Sequence, residues 1–199
     1  DILALQKIWG RENDQGKIEF QSQSYDYKFG REKEGRIYIN TEIGKEYIDN
    51  LYMLDFKNKS FDVERDITNI FNQIEKVDSI TGKIYSLYDT LLSRFPDYNG
   101  FTYWTENFLL GIDDFKSIFN SFIKESEIFG SNNFQLLSNE DIIKTAYQNI
   151  LGRDHDNEGY EYWLNELNNN KINLNDMIFS FFNSQEHKET YSDILGVDI

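Results

Sequence analysis

Displacing this chain by 59 residues lays it on itself without a gap. Ile84 falls on Ile143, Tyr88 on Tyr147, Leu92 on Leu151 and Arg94 on Arg153. Asp97 falls on Asp156, Gly100 on Gly159, and the pair Tyr103-Trp104 on Tyr162-Trp163. Further on, Ser121-Phe122 meets Ser180-Phe181, and Glu127 meets Glu186. One such short unit buries too little apolar surface to stand alone, so the two copies must pack together around a shared core.

Each copy reads as helix, tight turn, helix, link, helix. Ile80, Ile84, Leu87, Tyr88, Leu91 and Leu92 have the spacing of one helical face. That first helix is predicted to end near Arg94, and its counterpart near Arg153. Asp97 and Asp156 are placed to cap the next helix by accepting backbone N–H bonds. Gly100 and Gly159 sit in its first turn, where a missing side chain lets the preceding helix approach. Tyr103-Trp104 and Tyr162-Trp163 follow one turn later and are expected to pack back on Tyr88 and Tyr147. Arg94 and Arg153 are expected to brace the turn, through the helix-ending carbonyls or the capping Asp. Ser138-Asn139-Glu140-Asp141 has capping-box spacing. Ser131–Asn133 and Asn168–Asn170 read as loops.

Upstream the texture changes. Ile18 and Phe20, then Tyr25, Tyr27 and Phe29, then Ile37 and Ile39, then Tyr52, Leu54 and Phe56 alternate between turn residues. Period two predicts a small antiparallel meander of about four short strands. A short helix is predicted over Ile2 to Trp9, and a longer one over Asp62–Val77, capped by Asp62 and lined by Val63, Ile67, Ile70, Phe71 and Ile74. The predicted architecture is α+β, mainly α. An N-terminal unit (1–61) leads through a connecting helix (62–79) into two helical repeats, 80–137 and 138–199, forming one bundle.

Charge narrows the partners. Twenty Lys and Arg face thirty-five Asp and Glu, for a formal charge of −15. Such a surface repels nucleic acid and anionic lipid, which need clustered cations. It suits divalent cations, cationic partners or solubility in salty surroundings. There is no cysteine, hence no disulfide framework and no thiolate metal site. No apolar run approaches the roughly 18–20 residues needed to cross a bilayer. The chain opens on Asp1 and runs straight into Ile2-Leu3-Ala4-Leu5, which reads as the cut edge of a longer protein.

The phrases Tyr88-Asp-Thr-Leu-Leu-Ser-Arg-Phe-Pro-Asp-Tyr-Asn-Gly-Phe-Thr-Tyr-Trp104 and Tyr147-Gln-Asn-Ile-Leu-Gly-Arg-Asp-His-Asp-Asn-Glu-Gly-Tyr-Glu-Tyr-Trp163, with the later Ser-Phe-Phe-Asn-Ser-Gln-Glu186, carry a family likeness. Over roughly Ile80 to Gly196 the chain resembles a bacterial domain-of-unknown-function family of the DUF4214 type. Its signature is Tyr, then Leu-Gly-Arg, a Pro-Asp-like pair, Gly and Tyr-Trp. The resemblance implies tandem copies near the C-termini of secreted and surface proteins. Their companions include haemolysin-type calcium-binding repeats, serralysin-like peptidases and surface-layer proteins. It implies no agreed activity. Ile48 to Ser60 is similar to a strand phrase found beside such calcium repeats, and Asp1 to Gly10 is similar to a short helix closing some secreted peptidase domains. The glycine-rich calcium nonapeptide itself is absent.

For chemistry the inventory is thin. Asp154, Asp156, Glu158 and Gly159 match the first, third, fifth and sixth places of an EF-hand-like loop, and three carboxylates suit calcium. Asn165 stands where the loop needs a bidentate Glu, and the first copy offers Phe95 in place of Asp154. The competing reading is a capping Asp with extra acids in the first helical turn. No catalytic residue is assigned and no other cofactor is expected. His155 and His187 are the only histidines, lack His or Cys partners, and read as surface residues. No nucleophile elbow or phosphate loop is present. Trp104 and Trp163 read as core rather than sugar platforms. Trp9 and the Tyr residues of the β unit (Tyr25, Tyr27, Tyr38, Tyr52) are the better candidates for an exposed aromatic face. The expectation is a non-catalytic interaction or structural module of a secreted or surface bacterial protein, outside the cell, with a protein or glycan partner. A carbohydrate-binding or adhesion module, and an accessory domain of a secreted enzyme whose catalytic part lies upstream, stay open.

Overall fold

A computed structural model describes residues 16–130 and 137–199. The helix expected over Ile2 to Trp9, with Trp9 itself, and the loop at Ser131–Asn133 lie outside the described residues. The remainder is α+β, mainly α.

Among the described residues six short strands build the N-terminal unit: β1 (Lys17–Glu19), β2 (Lys28–Arg31), β3 (Ile37–Thr41), β4 (Gly44–Tyr47), β5 (Met53–Asp55) and β6 (Ser60–Asp62). β2, β3 and β4 form an antiparallel sheet, with Phe29 opposite Ile39 and Tyr38 opposite Tyr47. β5 pairs antiparallel with β6 and parallel with β1, so the second sheet is mixed. The single meander is therefore two sheets. β4 and β6 escape the alternation because each puts few apolar side chains inward. Tyr25 lies in a one-turn 3-10 helix (Ser24–Asp26), not in a strand.

The helix predicted over Asp62–Val77 is shorter and broken. Asp62 caps it, its carboxylate accepting from the Arg65 N–H at 2.8 Å. A π-helical stretch (Val63–Thr68) then passes into α1 (Asn69–Asn72). The end is set from outside. The Arg31 guanidinium donates to the carbonyls of Phe71 (2.6 Å) and Ile74 (2.9 Å), and the Thr81 hydroxyl donates to that of Gln73. Carbonyls engaged this way no longer need a continuing helix.

Seven longer helices follow among the described residues. α2 (Ile80–Leu92), α3 (Tyr98–Leu109) and α4 (Phe115–Glu125) make the first copy. α5 (Asn139–Ile150), α6 (Asn157–Asn168) and α7 (Leu174–Phe182) make the second, and α8 (Gln185–Leu195) closes the chain. The caps repeat with the sequence. Ser79 and Ser138, Asp97 and Asp156, and Asp114 and Asn173 each accept a backbone N–H three residues on. The copies meet through equivalent helices, α2 against α5 and α4 against α7. Phe119 packs edge-on to Phe179 between the latter pair.

Among the ties that join the helices to the sheets, two involve the turn after α2 and α8. Phe95, in the turn after α2, fills a pocket of Phe29, Phe61, Phe71 and Tyr85, with ring centroids 4.8 to 5.9 Å apart. α8 lies against β2, where the Arg31 Nε–H donates to the Leu195 carbonyl at 3.0 Å. One contiguous core thus runs from Phe20 to Leu195.

Candidate functional site

The turn between the first two helices of each copy is built from the same parts. α2 ends in a left-handed Ser93, with φ of 50°, and α5 in a left-handed Gly152, with φ of 68°. The Arg94 and Arg153 N–H groups then reach back to the carbonyls of Tyr88 (3.2 Å) and Tyr147 (3.3 Å). Asp97 and Asp156 accept the N–H of Gly100 and Gly159, each at 2.8 Å. A Cβ on Gly100 would collide with the Tyr88 hydroxyl, and one on Gly159 with that of Tyr147. Both tyrosines are buried, and their rings lie edge-on to Phe122 and Phe181, 5.0 and 4.9 Å away. Burial, and then the charge of Asp97, pushes the Tyr88 phenol up to about 12.

Residues 120–191 match the family model described as a domain of unknown function (DUF4214). This segment is what resembles DUF4214. The match takes in the end of α4, all of α5, α6 and α7, and α8 as far as Tyr191. The first copy of the signature, Tyr88 to Trp104, lies outside it and is tied to the DUF4214 segment by the internal repeat. No curated protein and no solved structure matches the chain.

Within the DUF4214 segment Arg153 organises the turn. Its Nη1 donates to the Asp154 carbonyl at 2.9 Å and contacts the Asp156 carboxylate at 3.4 Å. Its Nε and Nη2 hold both oxygens of Glu186, in the first turn of α8. Glu186 raises the Arg153 pKa, and Arg153 lowers that of Glu186. The guanidinium also lies 5.0 Å from the Tyr147 ring centroid. The role of Glu186 was missed in the sequence. Its only signal there was its register with Glu127.

The Tyr-Trp pair divides its labour. Trp104 and Trp163 are half-buried against Phe122 and Phe181, at 5.6 and 5.2 Å. Tyr103 and Tyr162 do not pack back on the preceding helix as expected; each is 55% exposed. On a helix, neighbours in sequence point about 100° apart, so only one of the pair can face inward. Each Tyr instead rests edge-on against its Trp, 5.1 and 5.0 Å away.

The acids proposed for calcium do not converge. Asp156 spends its oxygens on the Gly159 N–H and Arg153, and Asp154 Oδ1 meets the Gln148 amide at 3.4 Å. Glu158 is exposed in the first turn of α6. Among the described residues no three His, Cys, Asp or Glu side chains gather as a metal group. The histidines also depart from expectation. His187 is buried, because it lies on the inward face of α8 between Phe182 and Tyr191. Burial lowers its pKa to about 4. His155 is half-buried and stacks on Tyr160 at 4.5 Å. In the β unit, Tyr38 is buried beneath Lys45, whereas Tyr25 and Tyr52 stand exposed. Among the described residues no helix is long and apolar enough to cross a membrane.

A cleft of about 600 Å³ opens in the first copy beside Tyr88, Arg94, Trp104, Phe122 and Lys124.

Proposed function

We propose that this chain is a non-catalytic interaction and structural module of a larger secreted or cell-surface bacterial protein, serving anchoring, display or assembly. The observation that carries the reading is the exposed tyrosine kept at the same place in both copies, Tyr103 and Tyr162. The turn residues around it are consumed by capping and packing, so the turn does not need this ring. An amphipathic ring with two rotatable bonds is a low-entropy contact surface for a partner. The acidic surface and the DUF4214 segment support a place outside the cell.

The test is binding of the purified protein to bacterial envelope polysaccharides and surface proteins. A Tyr103→Ala/Tyr162→Ala variant should lose at least tenfold in affinity while melting as the wild type does. Binding indifferent to both changes, or turnover of the bound material, would overturn the proposal. A second reading rests on Tyr25 and Tyr52, exposed on the β unit. Glycan binding lost only on Tyr25→Ala/Tyr52→Ala would move the site there.

A further inference from the structure

Groups that acid can switch fasten α8 to the rest of the chain, and they crowd its first half. The Arg153 fork holds Glu186. Lys188 donates to the Asp78 carboxylate at 2.9 Å, and the Tyr191 hydroxyl to that of Asp89 at 2.7 Å. Between them His187 is buried, with its Nδ1 3.1 Å from the Ile150 carbonyl. A carbonyl only accepts, so Nδ1 carries the proton and Nε2 is the bare nitrogen. Nε2 is buried and has no hydrogen-bond partner among the described residues. A second proton would therefore bury a charge and a donor with nothing to receive it.

The far end of α8 is fastened by other means. The Arg31 Nε–H donates to the Leu195 carbonyl at 3.0 Å, and the Val77 N–H to the Asp198 carbonyl at 2.9 Å. Neither bond depends on a carboxylate or an imidazole. Between them Gly196 ends the helix in the left-handed region, with φ of 62°.

The groups facing His187 set the order in which these ties yield. Burial holds the pKa of the docked ring at about 4, against the pull of the Ile150 carbonyl and of Asp89 on α2. Lys28 of β2 pairs with that same Asp89 carboxylate. Asp78, ahead of α2, is shared by Lys83 and Lys188. From α7 the ring meets Phe182, which carries no charge. Arg153 holds the Glu186 carboxyl below its ordinary range, and Lys188 does the same for Asp78. As pH falls below the ordinary histidine value of 6.5, a detached His187 takes up a proton that the docked one refuses. The carboxylate ties hold until lower pH.

We propose that α8 is a proton-released latch: protonation of His187 detaches the first two turns of the helix from the Ile150 carbonyl and Asp89, while its far end stays hinged at Leu195 and Asp198. Release frees the Arg153 fork and uncovers the side of Phe182 that His187 packs on.

The test is amide hydrogen exchange of the intact protein at pH 7 and at pH 4.5, read by NMR as protection factors. A free helix of eleven residues is marginal in water, so detachment shows as exchange. At pH 4.5 the protection of Glu189 to Ser192 should fall at least tenfold further than that of Ile143 to Tyr147 in α5, while the Val77 N–H stays protected. His187→Gln keeps a donor for the Ile150 carbonyl and does not titrate, so it should remove the difference. Equal losses in α8 and α5 would overturn the proposal, because acid would then act on the whole fold. So would an α8 loss unchanged in His187→Gln, which would assign it to the carboxylates, or a Val77 N–H that exchanges together with α8, which would remove the hinge. The comparison of α8 with α5 is made within the wild type and stands even if the variant does not fold. Binding through Tyr103 and Tyr162 is a separate question, so the two proposals fail separately.

Discussion

Arg153 grips the carboxylate of Glu186, 33 residues further along, and so clamps the turn between α5 and α6 to the first turn of α8. Both side chains are about two-fifths exposed, so solvent screens the pair. Arg153→Ala should therefore cost only about 0.5–1 kcal/mol, the upper part of the range for surface pairs with bidentate geometry. Denaturant unfolding in low and high salt checks this. The loss should shrink in high salt, and a salt-independent loss would mean that packing over Tyr147 carries the effect.

Phe95 should matter far more. It stands where the second copy has Asp154, is buried, and meets four aromatic rings that join α2 to both sheets. Phe95→Ala opens a cavity there and should destabilise by about 3–5 kcal/mol, as other large buried aromatic truncations do. Chemical denaturation followed by circular dichroism measures it. A loss under about 1 kcal/mol would mean that the two parts of the chain do not depend on this plug.

One substitution should stabilise. Ser93 ends α2 in the left-handed region, where the second copy has Gly152. A side chain there costs roughly 1–2 kcal/mol, part of which the greater freedom of glycine in the unfolded chain offsets. Ser93→Gly should thus gain about 0.5–1 kcal/mol, read as a higher melting temperature. Gly152→Ser should lose about as much.

Acid should weaken the fold through His187. Its folded pKa of about 4 lies below the ordinary value of 6.5. Above that ordinary value both states are neutral and nothing changes. Between the two values the unfolded chain binds a proton that the folded chain excludes, so stability falls as pH falls, by up to about 3 kcal/mol. Lys28, Asp89 and Tyr191 form a network beside it, and Asp89 pulls the His187 pKa upward without overcoming burial. His187→Gln should flatten the pH dependence of unfolding in this window. An unchanged slope would assign the loss to carboxylates instead.

The helical half was legible because its information is local. Caps, glycines and apolar spacing lie within a few residues of what they fix, and the repeat supplied each twice. Asp97 and Asp156 show their caps three residues on, and α3 and α6 occupy equivalent spans. What was illegible depends on distant parts. β1 pairs with β5 across more than thirty residues, and α1 ends where Arg31 meets it. Glu186 has no local reason to be an Arg partner. The burial of His187 follows from which face of α8 the rest of the bundle covers. Tyr103 and Tyr162 misled because a shared Tyr-Trp pair looks like one packing unit, although the helix turns one ring out for each it turns in.

The central claim is that the glycine of the signature builds the turn while the neighbouring tyrosine is left for contact. The most direct measurement compares thermal unfolding of Gly100→Ala/Gly159→Ala with that of Tyr103→Ala/Tyr162→Ala. The glycine pair should melt well below the wild type, since each added methyl meets a tyrosine hydroxyl and such overpacking costs about 1–3 kcal/mol a site. The tyrosine pair should melt as the wild type does. A tyrosine variant that melts as low as the glycine variant would contradict the account and make the Tyr-Trp pair a single packing element.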